Sequence, residues 1–167
     1  VLTLRRLKSS RLERFLLDND QQVFDSALRA ISDLELKKIE ASLTKVLDKF
    51  LSDRLEHKLT SMQQRRLIHT TYRVGSERSV LLLAKVVQSA KFSHSHREEA
   101  LRLLSTWNNP HSVNQSTGKH SPLQKRAYKL NNTSYRRHLS PILKSSDKQT
   151  VKLGLTILKS HKNYIDL

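Results

Sequence analysis

A chain of 167 residues has room for one ordinary domain and one sizeable hydrophobic core. Only three Gly and three Pro argue against a β-sandwich or barrel, and the absence of Cys excludes disulfides, thiolate zinc sites and a cysteine nucleophile. Its 31 Lys and Arg against 15 acids leave a net charge of +16, which favours polyanions or an acidic neighbouring surface.

The charge excess grows along the chain. Residues 1–59 hold 12 basic and 10 acidic side chains, residues 60–118 hold 8 and 3, and residues 119–167 hold 11 and 2. The opening segment "VLTLRRLKSS" puts Leu2, Leu4 and Leu7 on part of a helical face. In "SRLERFLLDND", Leu12, Phe15 and Leu16 keep helical spacing, and Ser10 with Glu13 matches a capping box. Asp18, Asn19 and Asp20 end that helix and offer caps for the next. The following helix is predicted from about Gln21 to Ser32, with an apolar stripe of Val23, Ala27, Leu28 and Ile31. Asp25 and Arg29 stand at ion-pair spacing, and Asp33 and Leu34 mark the exit.

A longer amphipathic helix, "LKKIEASLTKVLDKFL", turns Ile39, Leu43, Val46, Leu47 and Phe50 to one side. Residues 61–74 form another, with Met62, Leu67, Ile68 and Tyr72 as its buried face and Gly75 closing it in a left-handed conformation. Ser76, with Ser79 or Glu77, starts "SERSVLLLAKVVQSA". Its run from Val80 to Val87 is apolar almost all round and belongs in the middle of a stack. "SHSHREEALRLLSTW" then repeats an earlier pattern, His96, Ala100 and Leu104 aligning with Val23, Ala27 and Ile31. A weaker third copy, "SSDKQTVKLGLTILKS", carries Val151, Gly154, Leu155 and Leu158. The long irregular stretch from Asn108 to Pro122 separates these blocks.

Short amphipathic helices with a small residue on the inner face suggest stacked antiparallel helix pairs. The expected fold is all-α, a right-handed α-α superhelix of HEAT/armadillo type. Residues 1–107 would form HEAT-like repeats, 108–122 a loop, and 123–167 basic helices continuing the same solenoid.

"DNDQQVFDSALRAI" resembles the second-helix signature of HEAT repeats. More widely, "LRRLKSSRLERFLLDND", "VFDSALRAISDL", "YRVGSERSVLLLAKVV" and "REEALRLLSTWNNP" followed by "GKHSPL" resemble the helical-repeat region of planctomycete-type dehydrogenase-like proteins. Such proteins join a sugar-dehydrogenase-type β-propeller to helical repeats and a c-type haem domain. The resemblance covers most of residues 4–123, and Ala100 to Pro110 is its most specific piece. It implies a scaffold segment of a larger protein, in a periplasmic or other extracytoplasmic setting, whose partner is another protein or a neighbouring domain. Cys-x-x-Cys-His is absent, so this chain attaches no haem, and no cofactor is expected.

Candidate chemistry is sparse. His94 and His96 are two residues apart and point away from each other on a helix, so a pre-helix capping loop is the expectation rather than a metal site. His111 and His120 share the polar loop, and the adjacent Glu98 and Glu99 are expected to place negative charge in a first helical turn. No Gly-x-Ser-x-Gly occurs, and the glycines are isolated at 75, 118 and 154, so neither a hydrolase elbow nor a Gly-rich phosphate loop is present. Enzymatic activity is not expected of this chain. The lone Trp107 is expected to close the core at a helix end.

The C-terminal part offers a different activity. Lys125, Arg126, Lys129, Arg136, Arg137 and Lys144 interleave with Tyr128 and Tyr135, a composition suited to following a phosphate or sulfate chain. These six are the candidate polyanion-binding residues, for nucleic acid or an acidic glycan. Helical spacing would set Arg126 and Lys129 on one face. No zinc-finger or RNP signature accompanies them. No apolar run approaches the length of a membrane span.

Overall fold

The computed structural model describes residues 1–123, 126, 128–144 and 147–160. Every regular element among them is helical. They are α1 (Leu2–Arg6), a 3-10 helix (Ser10–Leu17), α2 (Gln21–Asp33), α3 (Glu40–Leu51) and α4 (Ser61–Val74), then α5 (Glu77–Gln88), α6 (His94–Ser105), α7 (Asn132–Leu143) and α8 (Lys148–Ser160). None is long and apolar enough to cross a membrane. The helices gather into two compact units, Val1–Val74 with Gln115–Thr117, and Gly75–Asn114 with the described residues from Gly118 onward. The division thus falls between Val74 and Gly75, ahead of the irregular stretch at which the sequence itself changes character.

In the N-terminal unit the segment "SRLERFLL" forms a 3-10 helix capped by Ser9, whose Oγ accepts from the Arg11 amide at 3.3 Å. Ser10 is therefore not the cap. Glu13 instead accepts a hydrogen bond from the Ser42 hydroxyl on α3, a partner that local spacing cannot reveal. Asp20 caps α2 as expected, accepting from the Gln22 and Val23 amides at 2.7 and 3.1 Å. The buried face of α2 is Phe24, Ala27, Leu28, Ala30 and Ile31, while Val23 is only half-buried. The stripe rotates toward Phe24 because its ring stacks on His57, with centroids 4.1 Å apart.

The predicted Asp25–Arg29 pair gives way to other partners. Asp25 accepts from the Gln21 and Gln63 side-chain amides, and Arg29 pairs with Asp33 at 3.3 Å. Helix α3 buries Leu43, Val46 and Leu47, with Ile39 buried at its N-cap, and leaves Phe50 half-buried. Helix α4 packs against α2 and α3 through Leu67, Ile68 and Tyr72, but Met62 at its start is 50% exposed.

The C-terminal unit begins at Gly75, whose φ of +69° is the left-handed conformation expected of it. Ser76 and Ser79 then form a reciprocal capping box at the start of α5. Helix α5 buries Val80, Leu82, Leu83, Ala84, Val86 and Val87 and packs against both α6 and α7, as its nearly all-round apolar surface requires. Helix α8 packs on α6 and α7. At Gly154 a Cβ would meet Leu143 Cδ2 at 3.0 Å and Ile142 Cγ2 at 3.2 Å, so the missing side chain lets α8 approach α7 closely. Ala27 and Ala100, the other small residues of the repeated pattern, are fully buried.

Candidate functional site

The candidate cations lie in the C-terminal unit, where Trp107 anchors the chain next to Arg126 and Lys129. The Trp107 side chain lies just past α6 and is fully buried, as expected for a core-closing residue. Its indole N–H donates to the Tyr128 carbonyl at 2.9 Å. Next to it, Asn108 clasps Leu130, donating from Nδ2 to the Leu130 carbonyl at 2.8 Å and accepting from its amide at 2.9 Å. These bonds hold residues 128–130 against the end of α6. Leu130 is buried, which fixes the register of that attachment.

Arg126 lies with its guanidinium carbon 4.0 Å from the Trp107 ring centroid, a cation–π contact. The expectation of a helix carrying Arg126 and Lys129 on one face needs correction: residues 126 and 128–131 are not helical. The indole and amide bonds to Tyr128 and Leu130 use the backbone groups that a helix would need for itself. Arg126 is half-buried, whereas Lys129 is exposed. The Tyr128 hydroxyl donates to Glu77 at 3.5 Å.

Of the remaining candidates, Arg137 projects from α7 and is exposed, and Lys144 follows the end of α7, also exposed. Arg136 lies in α7, but its side chain is outside the described residues, as is the side chain of Tyr135. Lys125 is outside them altogether. The same unit holds His138, 95% buried and 4.0 Å from the Glu77 carboxylate, and neither ring nitrogen has a hydrogen-bond partner among the described residues. Burial pushes its pKa below the ordinary imidazole value, against the opposing pull of Glu77. Arg97 reaches across to Asp147 at 2.7 Å and to Thr150 at 3.3 Å. Hydrogen bonding from Thr150, with help from the Gln149 amide and Arg97, lowers the Asp147 pKa.

The four histidines singled out in the sequence take separate places. Helix α6 starts at His94 itself, with Ser93 accepting from the His96 amide at 3.3 Å, so "HSH" is a first turn and not a preceding loop. His96 is buried edge-on to Phe92, with centroids 6.4 Å apart. Glu98 and Glu99 fall in the second turn of α6, beyond the first-turn position expected for them. His120 pairs with Val113 through the backbone around Gly118, and His111 is exposed. Among the described residues no group of three or more His, Cys, Asp or Glu is arranged to hold a metal ion.

The N-terminal unit contains polar networks that spacing did not reveal. Arg73 reaches Glu35 at 3.0 Å and Glu40 at 3.3 Å, and both Arg73 and Glu40 are buried side chains. Desolvation raises the Glu40 pKa, while Arg73 pulls it down. Around Asp33 gather Arg66 at 3.1 Å, Arg29 at 3.3 Å and Arg5 at 3.9 Å. His57 fills a further niche, with Nε2 2.8 Å from the Asp18 carbonyl and Nδ1 3.3 Å from Gln21.

No protein-family model, curated protein or solved structure matches the chain.

Proposed function

We propose that this chain is a non-catalytic helical-repeat scaffold of HEAT/armadillo type, a segment of a larger dehydrogenase-like protein that holds a partner or a neighbouring domain. The observation that carries the reading is the use of small residues at buried helix faces. Ala27, Ala100 and Gly154 recur in the three related segments, and at Gly154 two side chains of α7 occupy the space a Cβ would need. Close approach of neighbouring helices at small residues is what a stack of helix pairs requires, and it supports the reading. The resemblance of residues 4–123 to planctomycete-type helical-repeat regions supplies the larger context. The parent reading frame tests it: propeller repeats upstream and Cys-x-x-Cys-His downstream are expected, and absence of both overturns the assignment.

A second reading is favoured by the exposed cations of the C-terminal unit. Lys129, Arg137 and Lys144 are exposed in a region with 11 basic and 2 acidic residues, and nucleic acid or an acidic glycan would meet them there. Salt-dependent binding to heparin or DNA, weakened about tenfold by neutralising Arg136 and Arg137, is the expected result. Failure to bind either at low salt removes this reading.

A further inference from the structure

A cavity of about 260 Å³ opens in the N-terminal unit between the 3-10 helix and α3. Leu16, Leu17, Val46 and Leu55 line it, with Lys45 and Lys49 beside them. Leu17 is 73% exposed, an unusual position for a large aliphatic side chain at the mouth of an apolar trough. Ser42, Lys45, Val46 and Lys49 follow one another at helical spacing, so α3 supplies one continuous wall over about 10 Å, close to two helical turns.

The charge of this wall is one-sided. Lys45 and Lys49 are exposed, one turn apart, and neither forms an ion pair with a described residue. The one carboxylate in the lining, Glu13, is engaged by the Ser42 hydroxyl. An apolar floor flanked by two cations matches an amphipathic helix that carries large aliphatic residues on one face and Asp or Glu beside them. Such a helix, laid along α3, would meet this two-turn wall with its middle turns.

We propose that the trough between the 3-10 helix and α3 is the docking site for an acidic amphipathic helix of a partner protein or domain. This deepens the scaffold reading, and rests on it, by naming where the partner is held and what chemistry it has. Leu16, Leu17, Val46 and Leu55 take its aliphatic residues, and Lys45 and Lys49 pair with its carboxylates.

The test uses the full chain and a fluorescent peptide of about four helical turns with Leu at i, i+3, i+4 and i+7 and Glu at the flanking positions. Saturable binding by fluorescence anisotropy is expected. Leu17→Asp, and separately Lys45→Glu with Lys49→Glu, should each weaken it at least about tenfold, with thermal melts like that of the parent chain. A peptide with Lys in place of Glu should recover binding to the charge-reversed variant. Three results each overturn the proposal. The peptide fails to bind, or it binds both variants undiminished, or binding is lost on Arg137→Glu and not on Leu17→Asp. Self-association of the chain that Leu17→Asp abolishes also overturns it, since the trough is then a contact between copies. Failure of the peptide with propeller and haem motifs present in the parent frame rejects the trough alone, whereas binding with both motifs absent rejects only the dehydrogenase context.

Discussion

The two units dispose of positive charge in different ways. In the N-terminal unit basic side chains meet carboxylates: Arg73 lies between Glu35 and Glu40, and Arg5, Arg29 and Arg66 converge on Asp33. The C-terminal unit has few acids to offer. Arg97 meets Asp147, Arg126 lies on an indole face, and Lys129, Arg137 and Lys144 are left to solvent. A buried cation needs a carboxylate or a π-face, because desolvation without compensation is too costly. The comparison shows why one helical unit has a charge-knitted interior and the other a basic exterior.

The largest effect should come from the aromatic centre of the C-terminal unit. Trp107→Ala removes a fully buried ring, the indole bond to Tyr128 and the platform under Arg126, so a loss of about 4 kcal/mol is expected in urea unfolding. If stability falls by less than about 1 kcal/mol, Trp107 does not organise that unit.

Next comes the charge-knitted interior. Arg73→Ala leaves Glu35 and Glu40 without their guanidinium and should cost about 3 kcal/mol near neutral pH. Burial raises the Glu40 pKa, so its neutral form suits the folded state better than its charged form. The deficit of Arg73→Ala against the parent chain should therefore narrow as pH falls through the raised Glu40 pKa. Pairing Arg73→Met with Glu40→Leu should restore much of the loss, and no recovery would mean the network is not a local unit.

The smallest effect concerns His138. Its folded pKa is depressed, so the unfolded chain binds this proton more readily than the folded one. Stability from this group is complete above its unfolded value of about 6.5 and declines as pH falls toward the depressed folded value. His138→Phe should flatten the difference in denaturation midpoint between pH 7.5 and pH 5, relative to the parent chain, by roughly the share of one titrating group. An unchanged pH profile would show that His138 is protonated equally in both states.

Most of the helical order was legible before the structure. Helix α4 occupies the span its periodicity predicts, Gly75 adopts the left-handed conformation expected at a helix end, and the Ser76–Ser79 box starts α5. These are local effects, decided within a turn or two of chain. Some departures shift a cap by a residue or two, as at Ser9 and Ser93, and the others involve distant partners. Ser42 takes Glu13 away from a capping role, His57 turns α2 toward Phe24, and Gln63 takes Asp25 from Arg29. The backbone clasp of Trp107 and Asn108 keeps residues 128–131 out of the helix that their spacing suggested.

By itself, then, the sequence determined the helical class, the Asp20 cap of α2 and the Gly75 break before α5, the burial of Ala27, Ala100 and Trp107, and a basic C-terminal region. Hydrophobic periodicity and cap chemistry act over one or two turns, and they can be read from neighbours in the chain. Tertiary structure alone decided which cations are neutralised and which are presented, how the helices divide into two units, and that Leu17, Lys45 and Lys49 line a common trough. Those outcomes depend on groups tens of residues apart meeting at a few ångströms, where desolvation and shape, rather than propensity, set the result.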